Sequence, residues 1–199
     1  MAELRIYGDI AYGAITAAAV ADQLEALSDA SQIDIRLNSP GGSVFDGIAI
    51  HNAIARHPAK TTVHIDALAG SAASFIAMAG DEIVINRYAK MFIHDASGIT
   101  IGNAADMSAA MTTLDMLSQT IAEVYAARAG GSADKWRRAM QVETWYTAAQ
   151  AVEAGLADRI DSGAAGRAAR PQSAPAAHLQ RAVAVASARR NRRLLAQKG

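Results

Sequence analysis

The 199-residue chain contains no cysteine, which excludes a disulfide framework, a thiolate metal site and a thiol nucleophile, and agrees with a reducing compartment. Aromatic residues make up only 5% and none follows Tyr146, so the C-terminal part offers no ring on which a nucleic-acid base could stack. No acidic residue follows Asp161, whereas eight basic ones do: Arg167, Arg170, Arg181, Arg189, Arg190, Arg192, Arg193 and Lys198. Residues 1–161 therefore hold all 19 acidic groups and 11 basic ones, so the net charge of zero conceals a balance of −8 in the body against a basic tail. Long apolar runs are also missing. The least polar stretch, residues 67–80, is too short and too rich in Ala, Gly and Ser to cross a hydrocarbon core of ~30 Å. The first residues carry Glu3 and Arg5 and lack the pattern of a secretory signal, so the mature chain is expected to begin near Met1 and the protein to be soluble and cytoplasmic. H-E-x-x-H, EF-hand, Walker A and G-x-G-x-x-G patterns are all absent, leaving metal, nucleotide and dinucleotide chemistry without a motif; no metal or cofactor is expected.

What is present is 51% hydrophobic and sufficient for one core. Apolar residues alternate over 4–10 and then recur at helical spacing over 15–27, a strand followed by a helix. Residues 33–37 alternate again and stop at Asn38-Ser39-Pro40-Gly41-Gly42, with a helix expected over 44–56. The pattern recurs as a strand over 61–66, a small-residue helix over 70–79, and strands over 82–86 and 91–94. Such alternation predicts an α/β domain with a largely parallel sheet. Asn103 with Asp106 three residues on is a capping-box variant that opens a helix of about 25 residues, ~37 Å at 1.5 Å per residue. Its Met107, Met111 and Leu114 stripe serves either the core or a subunit contact. Two short helices and a last strand complete a domain expected to span 1–161; residues 162–199 read as a flexible Ala/Pro/Arg-rich basic tail, helical near its end.

Two small-residue segments follow strands, where open α/β sheets place their sites. Gly41 and Gly42, ahead of a helix, let backbone N–H groups face an anion, unless the turn is simply tight. Gly70-Ser71-Ala72-Ala73-Ser74-Phe75 opens a helix, where a serine hydroxyl is presented and the next amide serves as oxyanion donor; close helix packing would want the same small residues. Among His51, His57, His64, His94 and His178, His94 is best placed as a base, because it ends the apolar strand Met91-Phe92-Ile93 and enters a loop. Asp95, Asp134, Glu143 and Asp158 are candidates for the acid that orients it.

Residues 4–161 resemble the ClpP peptidase family and, within it, the ClpP-like head maturation proteases of tailed phages and prophages. Four ordered segments carry the resemblance: Leu37-Asn38-Ser39-Pro40-Gly41-Gly42-Ser43-Val44, Gly70-Ser71-Ala72-Ala73-Ser74, Met91-Phe92-Ile93-His94, and Tyr146-Thr147-Ala148-Ala149 running on to Asp158. The resemblance implies Ser74 as nucleophile with Ser71 a bystander, His94 as base, the Gly42 and Phe75 amides as oxyanion hole, and Gly41 and Ser43 as substrate contacts. Glu143 stands where the family usually has the triad aspartate. It further implies a ClpP/crotonase-like spiral of β-β-α units, with a long handle helix that mates two stacked rings. The activity implied is serine endopeptidase action on polypeptide substrates inside a ring chamber, with scaffold, capsid or portal proteins as phage partners. The segment from Ser74 to His94 is shorter than in housekeeping members, which favours the phage branch. The alternatives are a housekeeping-type proteolytic subunit fed by a Clp-type ATPase and a catalytically weak structural or scaffold-binding ring. A crotonase-type acyl-CoA enzyme would not need Ser74 and His94 together, and a Ser-Lys peptidase would have to use Lys60 or Lys90. No membrane partner is expected, and nucleic acid only through the tail.

Overall fold

Period-two burial runs through the first two strands of the computed structural model, which describes residues 2–11 and 15–161. The expected tail over 162–199, with its terminal helix and His178, lies outside the described residues. Strand β1 (Ala2–Tyr7) buries Leu4 and Ile6, and β2 (Gln32–Ser39) buries Ile33, Ile35 and Leu37. Between them α1 (Ala17–Glu25) is capped by the Thr16 side chain and buries Val20 and Leu24. Helix α2 (Val44–Arg56) occupies the expected 44–56 because Ser43 caps its first turn and the His57-Pro58 dipeptide cannot continue it. Strand β3 (Lys60–Gly70) then runs the full height of the sheet and leads into α3 (Ala72–Ala77).

The remaining elements are β4 (Glu82–Asn86), β5 (Lys90–Ile93), α4 (Ala104–Ala129), α5 (Ala133–Gln141), β6 (Thr144–Thr147), α6 (Ala148–Glu153) and β7 (Arg159–Asp161). The seven strands form one sheet, ordered β1-β2-β3-β4-β7, with β5 on β3 and β6 on β5. Among the described strands only the β5/β6 pair is antiparallel. This is the mixed α/β architecture expected, built on a parallel sheet. Strand β3 is shared: Thr62 to Ile65 pair with β4, and Leu68 to Gly70 pair with β5, so the β5/β6 ribbon joins the sheet at the carboxyl end of β3.

Parallel sheets are usually covered on both faces, yet here the outer positions are polar. Asp66 on β3 accepts from Tyr7 on β1, Arg36 on β2 and Asn86 on β4, while His64 meets Asp34 at 3.3 Å and Arg159 meets Glu82 at 2.6 Å. The apolar face carries the core with α2 and α3. Helix α3 is buried at every position, and Gly47 on α2 is what lets it approach: a Cβ there would lie 2.6 Å from the Phe75 ring.

Helix α4 begins with the expected capping box, Asn103 Oδ1 accepting from the Asp106 amide and Asp106 accepting from the Asn103 amide. Its buried residues, Leu117, Ser118, Ile121, Ala122 and Tyr125, all lie in its C-terminal half. Met107, Met111 and Met116 are exposed, as are Ile99 and Ile101 in the preceding loop, so the core takes only half of the helix. Strand β6 is absent from the sequence expectations. It is four residues long and abuts the Thr147 cap of α6, so neither its length nor its borders set it apart. No helix among the described residues is long and apolar enough to cross a membrane.

The core accounts for most of the stability. Ile35→Ala, at a position with no exposure in the centre of the sheet, is expected to cost about 2–5 kcal/mol through lost burial and a residual cavity, read as a lower urea midpoint with an unchanged slope.

Candidate active site

The site forms where β3 ends. Gly70 is its last residue and Ala72 the first of α3, which leaves Ser71 alone at the junction with φ 51° and ψ −121°. A residue with a Cβ adopts that region at a cost, and strand-to-helix elbows use it to push a side chain out of the sheet. The Ser71 amide still donates to the Phe92 carbonyl at 3.0 Å, so the elbow turns only after the β3/β5 ladder is complete. Gly70 is required beneath it, because a Cβ there would stand 2.2 Å from the Phe92 ring.

His94 follows β5 directly, and its Nε2 lies 2.6 Å from Ser71 Oγ. Phe92 stacks on Trp145 of β6 with centroids 4.4 Å apart and meets the His94 ring at a tilt, with centroids 5.6 Å apart, so the antiparallel β5/β6 ribbon walls the imidazole on one side. With Nε2 unprotonated, His94 accepts the Ser71 hydroxyl proton. That contact has the geometry by which a base activates the serine of a serine hydrolase.

The geometry corrects the expectation for Ser74. This serine has no exposed surface, donates from Oγ to the Ser71 carbonyl at 2.5 Å and pairs with the Tyr125 hydroxyl at 2.7 Å. It lies one turn inside α3, a helix buried all round, so its hydroxyl faces α4 rather than a substrate. The oxyanion expectation shifts with it. The Gly41–Gly42 turn packs on the elbow: a Cβ on Gly41 would meet Gly70 O at 2.6 Å, Ser71 Cβ at 2.7 Å and Ala72 N at 2.8 Å. The amide that follows Ser71 and faces this turn is therefore that of Ala72. Phe75 sits a turn deeper, buried, with its ring against Gly47.

Within the turn, the Gly41 amide donates to Ser39 Oγ at 3.0 Å, so Gly42 is the turn's candidate donor to an anion. Ser43 spends its side chain on the Asp46 amide as the cap of α2, and only its backbone is available to a substrate. Gly42 is held by Ile10, whose carbonyl accepts from Ser43 N at 3.1 Å while its amide donates to Gly41 O at 2.9 Å. The turn reaches the elbow because the β2/β3 register slips between Leu37 and Ser39, setting Ser39 beside Ala69.

Among the acids, Asp95 accepts from Arg137 at 2.9 Å, and Asp158 accepts from Ile83 N at 2.6 Å and from Arg128 at 2.5 Å; both serve as structural ties. Asp134 lies in the first turn of α5. Glu143 immediately precedes β6, and the register Ile93↔Thr144, continued one step, sets it opposite His94. It holds φ 52°, and its Oε1 accepts from the Trp145 indole at 3.4 Å. Of the other described histidines, His57 bridges Leu24 O and Ala59 N, and His64 belongs to the charged sheet face.

The role of Ser71 was open to sequence reasoning, since a nucleophile belongs at the junction of strand and helix while a serine three residues later falls inside the helix. Tyr125 and Trp145 carried no such signal, because their spacing reads as ordinary core and ordinary strand.

A parallel α/β sheet with a serine–histidine pair on a strand-to-helix elbow defines the class. The chain belongs to the Clp protease family, whose profile matches residues 6–163. It is 28% identical over 145 residues to the ATP-dependent Clp protease proteolytic subunit 2 of Corynebacterium diphtheriae, covering 72% of this chain and 73% of that protein. Over 142 residues it is 29% identical to proteolytic subunit 1 of Mycobacterium bovis, covering 69% and 70%. Against the proteolytic subunit of Chlorella vulgaris it is 28% identical over 128 residues, covering 63% of this chain and 64% of that protein.

Gly42→Ala tests the turn. Its Cβ would stand 2.0 Å from the Ile10 carbonyl at φ 153°, so the loop must move away from the elbow. The expected outcome is a loss of about 10²-fold or more in peptidase kcat, the scale of a lost oxyanion donor, with near-normal far-UV circular dichroism.

Proposed function

We propose that this protein is a serine endopeptidase in which Ser71 is the nucleophile, His94 the general base, and Glu143 the acid that orients the imidazole. The observation that carries the reading is the 2.6 Å contact between His94 Nε2 and the hydroxyl of a serine held at positive φ. In the proposed reaction His94 takes the Ser71 proton as Oγ attacks the peptide carbonyl. The tetrahedral oxyanion is held by the Gly42 and Ala72 amides, His94 returns the proton to the leaving amine, and water then releases the acyl group by the same route. An acyl-CoA enzyme relying on the oxyanion hole alone would have no use for a histidine on that hydroxyl.

The assembly proposed is a ring of copies, joined to a second ring through α4. The exposed Met107 and Met111 on α4, with Ile99 and Ile101 in the loop before it, support this reading, since large apolar side chains left in solvent where a helix leaves its own core mark a contact surface. The substrates proposed are scaffold or capsid proteins during phage head maturation, a reading that rests on the four ordered sequence segments. Part of its original support changes with the nucleophile: from Ser71 the spacing to His94 is 23 residues, three more than from Ser74. The second reading is a housekeeping-type subunit fed by an ATPase, favoured by relatives named as ATP-dependent proteolytic subunits.

Fluorophosphonate labelling with peptide mapping decides the site. The adduct is expected on Ser71, abolished in Ser71→Ala and slowed about 10²-fold or more in His94→Ala, the lower end of what general-base catalysis contributes. An adduct on Ser74, or labelling that survives Ser71→Ala, would remove the proposed nucleophile.

A further inference from the structure

Ser74 is buried and nucleophilic in type, and the reaction proposed above leaves it unused. A serine inside a helix often bonds back to a carbonyl one turn earlier, and that habit accounts for its bond to Ser71 O. It does not account for a second partner brought from 51 residues away on another helix, the Tyr125 hydroxyl at 2.7 Å. Ser74 and Tyr125 are 0% and 1% exposed, so both hydroxyls must find partners within the protein.

The direction of this chain of bonds is fixed by counting protons. Ser74 has one hydroxyl proton and gives it to the Ser71 carbonyl, so the Tyr125 O–H donates to Ser74 Oγ. Burial pushes the Tyr125 ionisation up from its ordinary value, and the phenol keeps the proton it donates. The Ser71 carbonyl then carries two donors from one residue, Ser74 Oγ at 2.5 Å and Ser74 N at 3.0 Å.

That carbonyl belongs to the peptide group whose N–H is Ala72. In a planar trans peptide the C=O and N–H point in opposite directions, so fixing one aims the other. The rotation at stake is the unusual Ser71 ψ of −121°, which a lone elbow residue would not hold by preference. Donors on the carbonyl oxygen also polarise the amide and strengthen its N–H as a donor.

We infer that Ser74 and Tyr125 are positioning residues for the peptidase reaction: a relay from the Tyr125 hydroxyl through Ser74 to the Ser71 carbonyl aims the Ala72 N–H at the oxyanion. The inference rests on Ser71 being the nucleophile. It also explains why two serines stand three residues apart, one presented at the elbow and one locked beneath it.

The test uses the assembled full-length protein, a fluorogenic peptide amide and a peptide boronate of the same sequence, whose tetrahedral adduct mimics the intermediate. Ser74→Ala and Tyr125→Phe are each expected to lower kcat about tenfold, a fraction of the loss for removing an oxyanion donor outright, with KM within about twofold. Boronate affinity should weaken in parallel with kcat, and the double variant should be no worse than the poorer single one, because the two bonds act in series. Unchanged kcat and boronate affinity in both variants, with only a lower melting temperature, would reduce the pair to packing and overturn the inference. Should one variant fail to assemble by sedimentation, the other decides by the same two readouts. Ser71→Ala run alongside separates the levels: residual activity there overturns the nucleophile and the relay together, whereas loss there with unchanged single variants overturns the relay alone.

Discussion

A single backbone conformation organises this molecule, the positive φ of Ser71 between the last residue of β3 and the first of α3. A residue with a side chain in so sparsely populated a region costs on the order of 1–3 kcal/mol and persists only where its surroundings over-determine it. Here three elements do so. The β3/β5 ladder holds the Ser71 amide on the Phe92 carbonyl, the Gly41–Gly42 turn fills the space beside Ser71 and Ala72, and Ser74 grips the Ser71 carbonyl from inside the helix. Each depends on something small. Gly70 admits the Phe92 ring, Gly41 admits the elbow, and Gly47 admits the Phe75 ring so that α3 can lie on α2.

The sheet is arranged so that this elbow receives its partners from separate strands. Because β3 is long enough to pair with β4 along its first half and β5 along its second, its carboxyl end is free of β4 and open to the β5/β6 ribbon. That ribbon supplies His94 and sets Glu143 opposite it, while the slipped end of β2 supplies the glycine turn. The opposite face of the same strands is closed by charge pairing instead of helices. Asp66 ties three strands through Tyr7, Arg36 and Asn86, a polar cover in which the side chains satisfy one another and, among the described residues there, only Val84 is buried as an apolar residue.

Much of this was legible in the sequence where local chemistry and tertiary demand coincide. Ser43 before an apolar run and Pro58 after it bound α2, and Asn103 with Asp106 opens α4, because capping is decided within four residues. His94 was legible for a similar reason, as an apolar strand that stops at a histidine presents it at the sheet's end. Strand β6 was not, since its four residues exist as a strand only by pairing with β5, a contact between segments some fifty residues apart. The projection of α4 was legible as excess length, but which of its methionines the core leaves exposed depends on where the helix crosses it.

The proposed nucleophile shows where residue type stops being informative and position begins to matter. Gly-Ser-Ala-Ala-Ser offers two hydroxyls three residues apart, and at helical spacing both lie on one face, so pattern matching finds either equally acceptable. What separates them is where the strand stops. With β3 running through Gly70, the first serine must make the turn, and its side chain leaves the sheet toward His94. The second is carried into a helix with no exposed residue, where a hydroxyl is tolerated only if it is fully bonded. Its bonds go to the first serine's own carbonyl and to Tyr125, so on the proposed reading the residue kept from reacting holds the geometry of the one that reacts.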